Sequence, residues 1–245
     1  MKAQNWKNSY QRFKGINENF DFLVSLLDNC GNKSTAEAVL KGFNGGLSVP
    51  SKLPSHSYSI PAMECKTGKK LAKIKGSTCH GCYALKGTYR FSNVKNAMYA
   101  RFQTINQMLW VESMVLTIAV FEKTEFFRWH DSGDLQDVEH LEKIVQIAKY
   151  LPEVKFWLPT REYGIVNDFG GTIPKNLVIR FSAHMNNSYK EIANKDNASV
   201  VISDESFASS DSVICHATRK DSSHKCEDCR ACWSNDVKIV AYLLH

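Results

Sequence analysis

The chain has 245 residues, of which 43% are hydrophobic and 23% charged, and its formal net charge is +6. A chain of this length can bury a full core, and its composition is that of a globular protein rather than a disordered or fibrous one. No apolar run approaches the roughly 20 residues of a membrane helix. Residues 1–15 lack the apolar core of a signal peptide. We therefore expect a cytoplasmic protein that does not contact membranes.

Two helices are predicted near the start of the chain. Residues 8–29 carry apolar side chains close to helical spacing. Residues 36–43 form a second helix, for which Ser34 or Thr35 can serve as the N-cap. Residues 47–78 contain three prolines and show no period, which predicts a long irregular loop with a functional role.

Strands and helices alternate in the remainder of the chain. A long helix is predicted from Ser92 to about Lys123, and another covers residues 138–148. The predicted strands are residues 125–130, 155–159, 176–183, 198–204, 212–217 and 238–244.

This alternation predicts a parallel sheet with helices outside it. The chain is too short for a complete eight-stranded barrel in addition to the N-terminal helices, since such a barrel takes about 250 residues. The expected fold class is therefore α/β, with a partial (βα)6-type barrel or an open parallel sheet and a cysteine-rich C-terminal segment. Residues 1–49 are expected to form an N-terminal helical segment, and residues 50–245 one compact α/β metal-binding domain.

Seven of the eight cysteines fall into two groups, and Cys30, at the end of a predicted helix, is interpreted as a packing residue. In a reducing compartment, clustered thiols indicate metal binding or redox chemistry rather than disulfides. The first cysteine group is Cys65, Cys79 and Cys82, and the second cysteine group is Cys215, Cys226, Cys229 and Cys232.

The spacing of the second cysteine group resembles the cysteine runs that hold [4Fe–4S] clusters. Zinc is the alternative, because CxxC pairs also bind tetrahedral zinc, and His216 or His224 could then replace one sulfur. The first cysteine group could hold a cluster with one open iron. Alternatively, Cys79 and Cys82 share one site with cysteines of the second group. One or two clusters are therefore expected.

Polar side chains follow three of the predicted strands, and functional groups gather at the carboxyl ends of parallel strands. Arg161 could bind a carboxylate or phosphate through two hydrogen bonds. The competing interpretation is structural, since Gly133 permits a tight turn, the aspartates can cap a helix and His184 can be a hydrogen-bonded structural residue. The candidate catalytic residues are His130, Asp131, Arg161 and His184, and the candidate cofactor-binding residues are Ser132, Gly133, Asp134 and Thr160.

A run of lysines precedes Cys79 and consists of Lys66, Lys69, Lys70, Lys73 and Lys75. These charges could neutralise an anionic cluster or bind phosphate or nucleic acid. A solvated loop is the plainer interpretation.

Several motifs resemble those of the bacteriophage gene product 88-like family of uncharacterised proteins, over about residues 50–245. The resemblance rests on the segments 65–68, 77–84, 128–134, 158–162, 180–184 and 229–233.

At the level of architecture the chain is also similar to radical S-adenosylmethionine enzymes. These have a partial (βα)6 barrel, three cysteines after the first strand and an acidic, glycine-containing turn after the second. Cys79, Cys82 and the turn 131–134 occur here in that order, although thirteen residues separate Cys65 from Cys79 where the family has CxxxCxxC. This resemblance implies S-adenosylmethionine as a ligand.

Together these observations lead us to expect a phage-type iron–sulfur protein in the host cytoplasm, with a redox or radical S-adenosylmethionine-like activity. Its partner would be a small molecule or an electron donor. The alternative is a zinc-stabilised protein that binds nucleic acid or a host factor without catalysis. A third interpretation is a hydrolase or nuclease that uses Asp131, Asp134 and Glu162 with a divalent ion. The sequence leaves open whether the protein is an enzyme.

Overall fold

The computed structural model describes residues 6–244, which form an open α/β structure around one parallel sheet. The sheet order is β1-β2-β3-β4-β5-β7-β6, and every pairing between neighbouring strands is parallel. The fold class is therefore confirmed as an open parallel sheet. The strands are β1 (Ser57–Tyr58), β2 (Phe126–Trp129), β3 (Lys155–Thr160), β4 (Leu177–Ser182), β5 (Ala198–Ile202), β6 (Ser212–Ile214) and β7 (Ile239–Leu243).

The helices lie mainly before β4, and the later connections are short 3-10 turns and loops. Within the described part of the chain, no helix combines the length and the apolar character that a bilayer crossing requires. The helices are α1 (Trp6–Gln11), α2 (Glu18–Asp28), α3 (Lys33–Asn44), α4 (Lys66–Leu71), α5 (Ser92–Thr104), α6 (Trp110–Phe121), α7 (Val138–Tyr150) and α8 (Tyr163–Asp168).

Two helices predicted as continuous are each broken in two. The first divides into α1 and α2, and Asn17 starts α2 by accepting a hydrogen bond from the Phe20 amide at 2.9 Å. The second divides into α5 and α6, and Leu109 before α6 has φ of 69°. A left-handed residue cannot continue a right-handed helix, so the helix is interrupted before α6. The apolar spacing across residues 92–123 continues past this point, which is why the sequence predicted one helix.

The helix α3 begins at Lys33, two residues before the start that a Ser34 cap would give and three before that of a Thr35 cap. Asn32 is the N-cap and accepts a hydrogen bond from the Thr35 amide at 2.9 Å. The helix ends at Gly45, whose φ of 76° is the left-handed conformation that glycine adopts without a steric penalty.

Alternate residues of β3 face two different layers, as the pleat of a strand requires. Phe156 and Leu158 belong to the main core, which also contains buried residues of α2, α3, α6 and α7. Trp157 points the other way and packs with Cys232 and Trp233. The sheet therefore has helices on one face and the cysteine-rich segment between β6 and β7 on the other.

Candidate functional site

The first cysteine group lies in the loop that follows β1. Cys65 is the N-cap residue of α4, and its sulfur lies 3.6 Å from the point that a Cβ on Gly68 would occupy. The sulfur of Cys79 lies 3.5 Å from the same point. Negative charge on Cys79 or Cys82 also raises the pKa of Cys65, after the larger effect of burial. The sulfurs of Cys65 and Cys79 therefore lie beside Gly68, whose missing side chain leaves the space between them open.

One cation faces this thiol group. Burial raises the pKa of Cys79, and the positive charge of Arg161 lowers it. The Nε atom of Arg161 is buried and has no hydrogen-bond partner among the described residues. Since an unpaired buried guanidinium nitrogen is costly, an anionic group bound between Arg161 and the thiols would stabilise this arrangement.

Hydrogen bonds from two strand ends fix the loop that carries the first cysteine group. Glu162, after β3, accepts from the Thr67 amide and the Thr67 hydroxyl, both at 2.7 Å. After β4, the carbonyl oxygens of Ala183 and His184 accept from the Thr78 hydroxyl at 2.7 and 3.0 Å. The loop is thereby held against the carboxyl ends of β3 and β4.

The turn after β2 is occupied by structural hydrogen bonds. Asp131 is buried and accepts from the hydroxyls of Ser57 at 2.5 Å and Tyr89 at 3.1 Å. Gly133 has φ of 85°, and a Cβ there would lie 2.1 Å from a side-chain atom of Ile60. Asp131 therefore joins this turn to β1 and to the loop of the first cysteine group.

Asp134 is a buried carboxylate in the same turn, and burial shifts its pKa. Burial raises its pKa to about 6, although hydrogen bonds from Thr160 and from the Arg161 amide lower it. The two bonds measure 2.6 and 2.9 Å. Thr160, Ser132 and Gly133, predicted as cofactor-binding residues, lie beside it in the strand ends, and Ser132 is buried with an unpartnered hydroxyl.

His130 lies among aromatic side chains on the helix side of the sheet. Its ring is 5.3 Å from the ring of His140 in α7, and both of its nitrogens are buried without a partner. Burial lowers the pKa of His130 well below the usual histidine value. His130 also has φ of 51°, a strained conformation for a residue with a Cβ.

A cavity of about 510 Å³ opens beside the first cysteine group. Its lining includes Lys66, Arg161, Glu162, Tyr163 and His184. The His184 ring stacks on Tyr163 with 4.7 Å between centroids, and its Nε2 lies 3.2 Å from the Arg161 carbonyl oxygen. Two of the four predicted catalytic residues, Arg161 and His184, thus line this cavity, whereas His130 and Asp131 do not contribute to its wall.

The second cysteine group occupies the connection from β6 to β7. Negative charge on Cys215 raises the pKa of Cys226 and of Cys232, in each case after burial, and negative charge on Cys229 raises that of Cys215. Burial raises the pKa of Cys232 to about 12, and its sulfur lies 3.2 Å from the hydroxyl of Tyr242. Cys215 is therefore within electrostatic range of the other three cysteines of the group.

Two arginines inside strands lie near this segment, Arg180 fully buried and Arg128 half-buried, and the sequence interpretation missed both roles. Arg180 in β4 is 0% exposed and donates to the carbonyl oxygens of Ala231 at 3.1 Å and Ser234 at 2.9 Å. The guanidinium of Arg128 in β2 stacks on Trp157 at 4.3 Å. Burial raises the pKa of Cys226, and the positive charge of Arg128 lowers it. In each case the sequence shows a charged residue inside an otherwise apolar strand, and that pattern could have indicated a structural arginine.

Within residues 6–244, no group of three or more His, Cys, Asp or Glu side chains has the arrangement of a metal-ion site. The metal-ligand assignments therefore stay predictions. Of the remaining cysteines and histidines, Cys30 is buried at the end of α2, as expected of a packing residue, and His216 lies 3.3 Å from Glu227.

The sequence model of the gene product 88 family matches residues 25–235, most of the chain. The chain belongs to the gene product 88 family. The match includes both cysteine groups and all the strand-end residues described above, so the family sequence pattern covers α3 and the sheet as far as the cysteine-rich segment. No curated protein matches the chain, and no solved structure matches it either.

Proposed function

We propose that the chain is a phage-type iron–sulfur protein with two clusters, one held by each cysteine group. The observation that carries the proposal is the convergence of Cys65 and Cys79 on Gly68, where a side chain would fill the space between the sulfurs. Three thiolates leave one iron of a [4Fe–4S] cluster without a protein ligand. The second cysteine group supplies four thiolates, a complete ligand set.

Iron–sulfur clusters suit this donor set better than zinc. A zinc ion binds sulfur at about 2.3 Å, so all its ligands crowd around a single point. Three cysteines at steps of three, as in Cys226, Cys229 and Cys232, are typical of iron–sulfur ligation, whereas structural zinc sites usually have two separated CxxC pairs. The cations Arg161 and Arg128 would offset the negative charge of thiolate-ligated clusters.

The cavity beside the first cysteine group gives the open iron a chemical role. A cluster held there and reduced by an external electron donor would supply one electron to a small molecule bound beside it. Arg161 would bind a carboxylate of that molecule, and His184 together with Tyr163 would form one wall of the cavity. S-adenosylmethionine is the ligand that the resemblance to radical enzymes implies. The function proposed is therefore a redox enzyme that acts on a small molecule.

Anaerobic purification with metal analysis tests the cluster assignment. We expect a brown protein with about four irons and four sulfides for each cluster. Cys79→Ser and Cys229→Ser should each remove about half of the iron if the two groups hold separate clusters. Cys30→Ala, a cysteine outside both groups, should retain all of it.

Two outcomes would change the proposal in different ways. Loss of all iron in both Cys79→Ser and Cys229→Ser would indicate one cluster shared by the two groups. A colourless protein with stoichiometric zinc as its only metal would support the alternative of a zinc-stabilised protein without redox chemistry.

A further inference from the structure

The net positive charge of the chain is concentrated in one segment. Residues 62–101 contain nine lysines and arginines and a single acidic residue, Glu64, so the segment has a net charge of +8. The whole chain has a net charge of +6, so the remainder is slightly acidic. The charge is therefore a local property of this segment, which surrounds the first cysteine group.

These cations are available to a partner. Apart from Arg101, which is buried and hydrogen-bonded to Gly46 and Ser59, the basic residues of the segment are all exposed. Within residues 6–244, none of them forms an ion pair with a carboxylate. Among the described contacts of the exposed lysines in residues 62–101, one is to a backbone carbonyl, from Lys66 to Gln136. Such a density of unpaired like charge favours a polyanionic ligand.

Exposed apolar side chains lie in the same segment. Of thirteen large hydrophobic side chains exposed in the described structure, six belong to residues 62–101. Three of these are aromatic: Tyr83 is 61% exposed, Phe91 59% and Tyr99 40%. Contacts link α4 to the 3-10 turn at residues 62–64, that turn to those at residues 83–85 and 87–90, and the last of these to α5.

The order of rings and charges along α5 discriminates between polyanions. Lys95 and Tyr99 lie four residues apart in α5, and Phe91 is its N-cap residue, four positions before Lys95. The three residues therefore follow one another along about 12 Å of the helix axis. A ring, a cation and a second ring in this order match a single nucleic-acid strand. Two of its bases would stack on the rings, and a phosphate between them would pair with the lysine. An acidic protein or an anionic membrane would need the cations but not this alternation of exposed rings.

We propose that residues 62–101 form a binding surface for single-stranded nucleic acid, with the exposed lysines on phosphates and with Phe91 and Tyr99 stacked on bases. In a duplex the base faces are already stacked on each other, so this surface selects unpaired strands. The surface is independent of the metal that the cysteines hold, since none of its contact residues is a cysteine.

Fluorescence anisotropy with a labelled oligothymidylate of about 16 nucleotides tests the surface, because single-stranded sites rarely exceed that length per binding module. We expect affinity to fall as salt rises. The double variant K69A/K73A should reduce the slope of log K against log[salt] by about 1.4, that is, by about 0.7 for each lost phosphate contact. The matched control K14A/K175A removes two exposed lysines outside the segment and should leave the slope unchanged.

The aromatic variants separate stacking from charge. F91A and Y99A should each weaken binding about tenfold with an unaltered salt slope, and Y99F, which retains the ring, should bind like the wild type. Circular dichroism of each variant establishes that the fold is retained. Equal affinity for duplex and single strands, or unchanged binding by F91A and Y99A, would overturn the proposal. So would the absence of binding at low salt.

Discussion

Arg180 donates from Nη2 to the carbonyl oxygen of Ala231 at 3.1 Å, so β4 holds the backbone next to Cys232. The same guanidinium also donates to the carbonyl oxygens of Ala198 and Val237, both at 3.0 Å. A single buried cation thus replaces the hydrogen bonds that a helix or strand would give to the cysteine-rich segment, which has little regular structure of its own.

Removal of this guanidinium should destabilise the fold. Arg180→Met leaves several buried carbonyl oxygens without a donor, and we expect a loss of about 3 kcal/mol or more in the free energy of unfolding. Arg180→Lys, with fewer donors and no planar fork, should restore part of this. Urea denaturation measures the loss, and alkylation of Cys232 followed by mass spectrometry reports whether the segment has loosened. Arg12→Met, at an exposed arginine, is the control and should change stability by less than about 0.5 kcal/mol.

The substitution Gly68→Ala tests whether the first cysteine group is a metal site or a structural loop. In a helix interior, glycine to alanine stabilises by up to about 1 kcal/mol, so Gly68→Ala should not impair folding. The added methyl group would lie 3.0 Å from the Cys65 Cβ and 3.5 Å from the Cys79 sulfur. We therefore expect Gly68→Ala to lose the iron of the first cysteine group and to retain that of the second, as measured by iron content per chain.

Gly42→Ala is the matched control for this prediction, because Gly42 lies in α3 and a Cβ there meets nothing within 4 Å. It should retain all the iron and gain the same helix stability. Full iron content in Gly68→Ala would show that no cluster occupies the space between Cys65 and Cys79.

The raised pKa of Asp134 predicts a dependence of stability on pH. The folded carboxyl keeps its proton up to about pH 6, whereas the unfolded one releases it near the usual aspartate pKa of 3.8. The folded state therefore binds more protons in this window, and stability falls as pH rises through it. A shift of about two pKa units corresponds to a loss of up to about 3 kcal/mol that persists above pH 6.

Urea denaturation of the wild type and of Asp134→Asn between pH 4 and 7 measures this effect, since asparagine does not titrate. Between the two ends of this pH range we expect a change of about 3 kcal/mol in the difference between the two proteins. The difference in unfolding free energy between the two proteins should change with pH in the stated direction. Asp196→Asn, at an exposed aspartate before β5, serves as the comparison. A difference that is constant with pH would contradict the burial effect at Asp134.

The sequence predicted the later strands because each has enough apolar residues to show its type. It could not predict β1, which has two residues and forms only through its pairing with Arg128 and Trp129 of β2. The break before α6 was hidden for a different reason, since Leu109 adopts a left-handed conformation without glycine or proline to announce it.

Some features of the candidate site could likewise be predicted from the sequence, and others could not. Cysteine spacing divides the thiols into two candidate groups, because metal ligands recur at short fixed steps, and their role as ligands stays a prediction. The direction of the His130 ring was not predictable, since a strained φ of 51° rotates that residue towards His140 and away from the cavity. Arg161 and His184 reach the cavity from the ends of adjacent strands, which the rule for parallel sheets does anticipate.

The position of β7 between β5 and β6 has a consequence for biosynthesis. The ribosome makes β6 and all four cysteines of the second group before β7, yet β7 is the strand on which β6 pairs. Cys232 also cannot meet Tyr242 until β7 has docked. On a nascent chain these thiols should thus remain open to metal delivery until the strand arrives. Thiol labelling of chains stalled before and after residue 243 would reveal whether protection of the cysteines begins with that step.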